Sequence, residues 1–373
     1  MEAVKQEATI IENGIKRKSF STRKFRFWAQ VFSLAISIWM GVEFYLFVRY
    51  LEAGKIMGMA PTRPPGVEGY LPISGLISLR DWFITGVLNN IHPASLIILL
   101  AIILISFVFK KSFCSWVCPV GFISEMIGNI GDFLVNQKYL PFKFLKSKNG
   151  ENEESPIRLK LHPFLDYPLH SLKYLLLAFF VYAVFFQMSA VDIRQFVESP
   201  YNKVADIKMM KFFIDIDAFG LWTIIILFGL SIFLRGFWCR YLCPYGALVG
   251  LFSLAGPARI RREENICISC GKCAQTCPSF IKVDTVKQVV SDECSGCLDC
   301  VDICPAKGSL TLGLTGLKKR ISKRVWAIGL IIIFWGLLAG FKMFGPWQNL
   351  ISTEEYMYHT KRMESGEYDH PGR

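Results

Sequence analysis

The chain has 373 residues, a formal net charge of +12 and a hydrophobic share of 52% that includes 31 phenylalanines. That share, before any glycine is counted, and the positive mean hydropathy exclude an ordinary soluble domain, whose apolar residues make up roughly 45–50% even with glycine included. The positive charge does not call for a nucleic-acid partner, because most of it flanks apolar stretches, where it orients helices and meets anionic lipid.

Residues 1–26 form a basic tail with Lys5, Lys16, Arg17, Lys18, Arg23, Lys24 and Arg26. Five apolar stretches without a central charge follow, at about 27–49, 93–109, 171–188, 220–237 and 325–344, each near the roughly 20 residues that cross a bilayer core as helix. The first is longer than a signal-peptide core, so an uncleaved anchor is expected. The loop at 50–90 contains APTRPPGVEGYLPISGL, rich in Pro and Gly yet apolar, as suits a structured or re-entrant loop. A polar connector is expected over 136–170, its middle (KSKNGENEESP) flexible. The loop at 189–219 and the tail at 346–373 are balanced or slightly acidic. Positive-inside bias then puts the N-terminus, the 110–170 loop and the 238–324 segment in the cytoplasm of a bacterial-type inner membrane, and the C-terminus outside. The final membrane segment, 317–345, carries Gly336-x-x-x-Gly340, a weak signal for close helix contact.

All twelve cysteines fall into four motifs. Two are Cys-x-x-x-Cys-Pro pairs, Cys114/Cys118 and Cys239/Cys243. Each pair ends an apolar stretch, in KKSFCSWVCPVGFISEMIG and RGFWCRYLCPYGALVGLFS, so membrane repeats at 27–135 and 171–256 are expected, parallel and related by an axis along the membrane normal. The other two motifs lie in a module at 257–316 and have the C-x2-C-x2-C-x3-C-P spacing of [4Fe–4S] ligands, where each run lends its last cysteine to the other cluster. One cluster is then expected on Cys267, Cys270, Cys273 and Cys304, and the second on Cys294, Cys297, Cys300 and Cys277. Zinc motifs do not repeat this run. A module of this size would be marginal without its metal.

The Cys-x-x-x-Cys-Pro pairs are open to several readings. A spacing of four puts both sulfurs on one helical face with the proline capping the local turn, so each pair can chelate a metal or cycle as a dithiol. If the repeats pack side by side, four thiols converge on a third site, either another Fe–S cluster or a metal. Buried inert thiols are the plain alternative. His92 and His170 could serve haem or quinone, although isolated interfacial histidines more often make ordinary hydrogen bonds. His162, His359 and His370 have no motif around them. Arg63, Glu68, Arg80 and Asp81 could bind a quinol headgroup or be solvated loop charges. There is no Walker loop, dinucleotide-binding glycine motif or nucleophile elbow.

These residues resemble the integral-membrane ferredoxins of the NapH/NosR type, including the YccM-like proteins. The resemblance covers about residues 60–315 and rests on RPPGVEGYLPISGL, HPASL, FCSWVCPVGFISE, LDYPLHSLKYLLLAFF and CRYLCPYGALVGLFS, followed by the twin cluster motif. It implies a mainly α polytopic bundle carrying an α+β ferredoxin-like module, and electron transfer between the quinone pool, or a cytoplasmic donor, and a respiratory reductase or its accessory proteins. Extracytoplasmic cytochromes or reductases are the implied partners. NosR-like proteins carry a large flavin-binding domain ahead of the membrane region, for which this chain has no room. The alternative is a metal-handling assembly factor whose membrane-surface thiols reduce an ion such as copper. Redox sensing through an oxidised pair ranks third, because no output domain is visible.

Overall fold

The computed structural model describes residues 20–54, 61–136, 161–316 and 320–363, together with 365 and 368. The middle of the connector and the basic tail before residue 20 lie outside the described residues.

Helix α1, Thr22–Ala53, has 32 residues, about 48 Å at 1.5 Å per residue. It therefore extends past both ends of the expected 27–49 span. Ser21 caps its start and Gly54, at φ 61°, ends it in the left-handed conformation. From residue 61 onward the Pro/Gly-rich loop holds a 3-10 turn at Pro65–Tyr70 followed by α2, Pro72–Thr85. Then come α3 (Pro93–Phe109), the short α4 (Ser112–Trp116) and α5 (Pro119–Asn136). Helix α6 spans Pro163–Tyr182 and continues as a π turn to Gln187, so the helix starts eight residues before the expected window, which Asp166 and His170 had bounded. The loop expected at 189–219 instead holds helices α7 (Ala190–Glu198) and α8 (Ala205–Ile214).

Helix α9, Ala218–Phe233, is capped by Asp217 and stops short of the expected end at 237, because Leu234 is extended and Gly236 has φ 69°. It is bent by 78° from α8. Helix α10 is Pro244–Ala255. Proline at the first position begins α2, α3, α5, α6 and α10, where its missing N–H is not needed. The module follows, with β1 (Ala258–Arg262), α11 (Lys272–Thr276), α12 (Asp299–Ile303), β2 (Leu310–Leu314) and β3 (Arg320–Ile321). The strands form one antiparallel sheet in the order β1-β2-β3. Helix α13, Lys323–Phe344, and α14, Thr353–Arg362, complete the chain, the latter giving the expected tail a folded element.

All five apolar stretches form helix, the fourth only as far as Phe233. Among the described residues, three helices are long and apolar enough to cross a membrane, or four if the bent α8–α9 pair counts as one, while α3 with 17 residues falls just short.

The two Cys-x-x-x-Cys-Pro regions pack reciprocally. Helix α5, which follows the first pair, lies on α9 from the second region, and α10, which follows the second pair, lies on α3 from the first. The interval between Cys118 and Cys243 also separates Gly131 from Gly256 and Phe107 from Ile232. A Cβ on Gly131 would stand 1.9 Å from the Ile232 carbonyl oxygen, and one on Gly256 would stand 1.9 Å from that of Phe107. Two helix crossings therefore have the same backbone-to-backbone approach.

One core joins membrane and module. Ile102, Ile105, Phe109, Phe113 and Trp116 pack with Ile260, Leu298, Leu310 and Leu312 of the module and with Trp326 and Leu330 of α13. A separate core at the far end of the bundle gathers Phe44, Phe47 and Leu51 of α1, Val67, Ile207 and Tyr356.

Gly131→Ala and Gly256→Ala should each lower thermal stability in detergent by about 1–3 kcal/mol or more through overpacking. Gly41→Ala and Gly229→Ala, with nothing within 4 Å of the new carbon, should not. Equal midpoints across the four variants would refute the close crossings.

Candidate functional site

The two cysteine runs of the module have the same backbone. The interval from Cys267 to Cys294 separates Ser269 (φ 54°) from Gly296 (φ 59°) and Gly271 (φ 69°) from Leu298 (φ 65°). These left-handed residues, two of them not glycine, turn each loop around its cysteines. Helices α11 and α12 then carry the third cysteine of each run and end at Cys277 and Cys304, whose backbones match at φ −65°, ψ 119° and φ −64°, ψ 117°. One cavity is lined by Cys267, Cys270, Cys273 and Cys304. A second is lined by Cys277, Cys294, Cys297 and Cys300. Each run thus places its fourth cysteine in the other run's cavity. Backbone amides of Ser269 and Gly296 bond the thiols of Cys267 and Cys294, as suits sulfurs that carry negative charge. Cys270 is exposed, whereas all four thiols of the second cavity are buried.

The other four cysteines sit at helix junctions. Cys114 is in α4, Cys118 stands at the break before Pro119, Cys239 lies in the π turn Trp238–Leu242, and Cys243 accepts a hydrogen bond from the Gly246 amide, 3.3 Å, at the start of α10. Pro119 and Pro244 take the first position of the helix that follows each second cysteine. The structure brings the two pairs together, with Cys114 feeling the charge of Cys118, Cys239 and Cys243. Burial pushes all four thiols up, Cys118 to about 11 and Cys239 to about 12, so their thiolates need a bound cation. Among the described residues, the group whose donor atoms all lie within 4.8 Å of one another is His170, Asp292 and Glu293. The four thiols are thus wider apart than a single tetrahedral ion holds its ligands.

The second cavity is pressed onto this thiol group. Trp116 Nε1 donates to the Gly296 carbonyl at 3.1 Å and Ser115 Oγ to that of Ser295 at 2.7 Å. A Cβ on Gly296 would fall 2.3 Å from Ser112 Oγ, so only glycine permits this approach. Gln30 of α1 donates to the Ser115 carbonyl at 2.9 Å. Charges clamp the same face. Arg26 of α1 meets Glu125 of α5 through two bonds, 2.8 and 2.9 Å, and Asp299 at 3.0 Å. Asp302 accepts from Lys323 at 2.6 Å. Glu293 faces Lys111 at 3.2 Å, His170 at 3.2 Å, and Lys173. Burial opposes the Glu293 carboxylate, but Lys111, His170 and Lys173 hold it well below the usual range.

The remaining sequence candidates are occupied elsewhere. Arg63 Nε bonds Asp206 at 2.7 Å and its Nη1 bonds Glu68 at 2.9 Å. His92 Nε2 lies 2.7 Å from the Asn202 carbonyl and its Nδ1 3.4 Å from Glu68. Glu68, His92 and Asp206 are completely buried, so this is an internal lock at the far end of the bundle, neither a set of solvated loop charges nor a free metal ligand. Arg80 donates to the Val184 carbonyl and Asp81 is buried. His162 caps α6, and His359 Nδ1 lies 2.5 Å from the Tyr368 hydroxyl. His370 falls outside the described residues. Sequence reasoning missed Arg26, Gln30, Trp116 and Glu293. A signal existed for the first two, since Thr22, Arg26, Gln30, Ser33 and Ser37 recur at helical spacing on one face of α1 through its apolar stretch.

Arg26→Gln removes the cation between two partly buried carboxylates and should cost about 3 kcal/mol. It should also open the module to protease before the bundle unfolds. Unchanged melting and proteolysis would show that the clamp carries no load.

A model described as a 4Fe-4S binding domain matches residues 91–138 and again 216–263, and one described as a 4Fe-4S dicluster domain matches 258–312. The chain is 40% identical over 334 residues to the Escherichia coli protein YccM, named for electron transport, covering 88% of this chain and 87% of that one. It is 27% identical over 242 residues to an uncharacterized protein of Methanocaldococcus jannaschii, covering 65% and 78%. With the ferredoxin-type protein NapH of Escherichia coli it shares 25% identity over 207 residues, 52% of this chain and 59% of that one. No solved structure matches. The chain belongs to the YccM-like family of ferredoxin-type, 4Fe–4S-binding electron-transport proteins of membranes.

Proposed function

We propose that this protein is a membrane-seated electron conduit with three Fe–S centres in line. Cys267, Cys270, Cys273 and Cys304 would hold the first, Cys294, Cys297, Cys300 and Cys277 the second, and Cys114, Cys118, Cys239 and Cys243 the third. When bound, such clusters supply one-electron exchange at thiolate-held iron. The observation that carries this reading is the seating of Ser115 and Trp116, between Cys114 and Cys118, on the Ser295-Gly296 peptide between Cys294 and Cys297. Ligand segments of two sites touch through hydrogen bonds, with no solvent layer between them. The order runs from exposed Cys270, through the buried second set, to thiols at the ends of α3 and α9.

The matched pair of helix crossings supports a parallel duplication around the third site. Basic flanks support a cytoplasmic module and an extracytoplasmic C-terminus in a bacterial-type inner membrane. The third site would exchange electrons with a lipid-dissolved quinone and so with a respiratory reductase. Tyr70 favours a lipid-side port. It is 40% exposed as a residue, its phenol is bonded to Ser37, and burial and the charge of Cys118 push that phenol up.

Anaerobically purified protein should contain about twelve irons per chain with matching sulfide. The double variant Cys114→Ser/Cys239→Ser should keep about eight, and a menaquinol analogue should no longer reduce them. Eight irons in both proteins would remove the third cluster. Reduction by the analogue that survives the double substitution would move the quinone elsewhere.

A further inference from the structure

The internal likeness of the two cysteine loops shows what should cover the first one. Every contact that seats the second loop has a counterpart position in the first, displaced by the interval from Cys267 to Cys294. Glu293, clamped by Lys111 and His170, corresponds to Ile266. Ser295, which receives Ser115, corresponds to Ile268. Asp299 and Asp302, which meet the basic Arg26 and Lys323, correspond to Lys272 and Gln275. The backbone is the same, since Ser269 and Gly271 repeat the left-handed turns of Gly296 and Leu298. The second loop is buried under the membrane bundle, while in the first Ile266 is 43% and Ile268 is 64% exposed beside exposed Cys270.

We infer that the Ile266–Lys272 loop is the docking face for a soluble electron-carrier protein with an acidic rim and an apolar centre. This rests on the cluster assignment proposed above. At the matching positions three acids that meet a basic anchor are replaced by an isoleucine, a lysine and a glutamine, so the complementary cover changes sign from basic to acidic. Exposed Lys272 and Lys307 follow directly in the chain on Gly271 and Ala306 of the first cavity's lining, which also contains Arg262 and Asp284. Nearby Glu263 and Glu264 are already met by Arg320, Arg262 and Lys287. Ile268, the apolar residue between two ligands, gains a dry neighbour when the carrier docks. The exchange it serves is a single electron, lost by the carrier and gained by this chain or the reverse, with no bond made and no proton moved. An oppositely charged rim steers such encounters and makes them salt-sensitive.

The test measures binding of oxidised plant-type [2Fe–2S] ferredoxin, an acidic protein, to the full chain in zwitterionic nanodiscs, with a basic cytochrome of similar size for contrast. Ferredoxin should bind at low salt and be released as salt rises. Lys272→Glu should weaken it at least tenfold, Ile268→Ser severalfold, and the cytochrome should not bind the wild type. Reduction by dithionite, a small ion that needs no docking, should proceed in both variants. Equal ferredoxin affinity in wild type and Lys272→Glu, or tighter binding of the basic cytochrome, overturns the inference. So does the absence of ferredoxin binding alongside attachment to anionic vesicles that Lys272→Glu abolishes, which would make the face a lipid contact. Binding is read with or without iron, so an iron-free wild type would refute the cluster assignment while leaving this result interpretable.

Discussion

The close seating of the Cys294–Cys297 loop on the Ser112–Trp116 segment is the constraint around which the molecule is arranged. A polypeptide loop can approach another this closely only if it lacks a side chain at the contact, has its carbonyls paired and has its flanking charges matched. Gly296 meets the first condition, Trp116 and Ser115 the second, and Arg26, Lys111, Lys173 and Lys323 the third. The module is thus part of the bundle's core, joined to α3 and α13 by one continuous apolar cluster.

Around that contact, each end of the bundle is held by different forces. At the module end, ion pairs link four separate parts of the chain to the acids that flank the second cysteine run. At the far end, Arg63, Glu68, His92 and Asp206 form a buried network that ties the 3-10 turn to the start of α3 and to α8. Such a network stabilises little by itself, yet losing one member leaves a buried charge unpaired. Between the two ends, the reciprocal glycine crossings bring the two Cys-x-x-x-Cys-Pro junctions to one place, the arrangement a four-thiol site needs.

Much of this was legible in the sequence because cysteine spacing and apolar runs report local geometry. The runs Cys267–Cys277 and Cys294–Cys304 announced paired cavities, and all five apolar windows form helix, the fourth only as far as Phe233. Helix ends were less legible, since the polar residues of α6 before 171 and of α1 before 27 are helical although they lie outside any apolar window. The helices α7, α8 and α14 arise from caps such as Ser189 and Ser352 and from packing at the far end, which a window of mean hydropathy does not register. Arg63 and Glu68 read as quinol-binding or solvated loop charges and His92 as a haem or quinone candidate, because a buried ion network is assembled from segments remote in sequence. Trp116 carries no signal in its local sequence, and its partner carbonyl lies 180 residues away.

The most direct measurement is electron paramagnetic resonance of the fully reduced protein beside the Cys114→Ser/Cys239→Ser variant. Three adjacent centres predict a spectrum broadened and split by magnetic interaction in the wild type, with part of that interaction lost in the variant. Identical spectra in the two proteins, with the same integrated spin, would contradict a third centre next to the second.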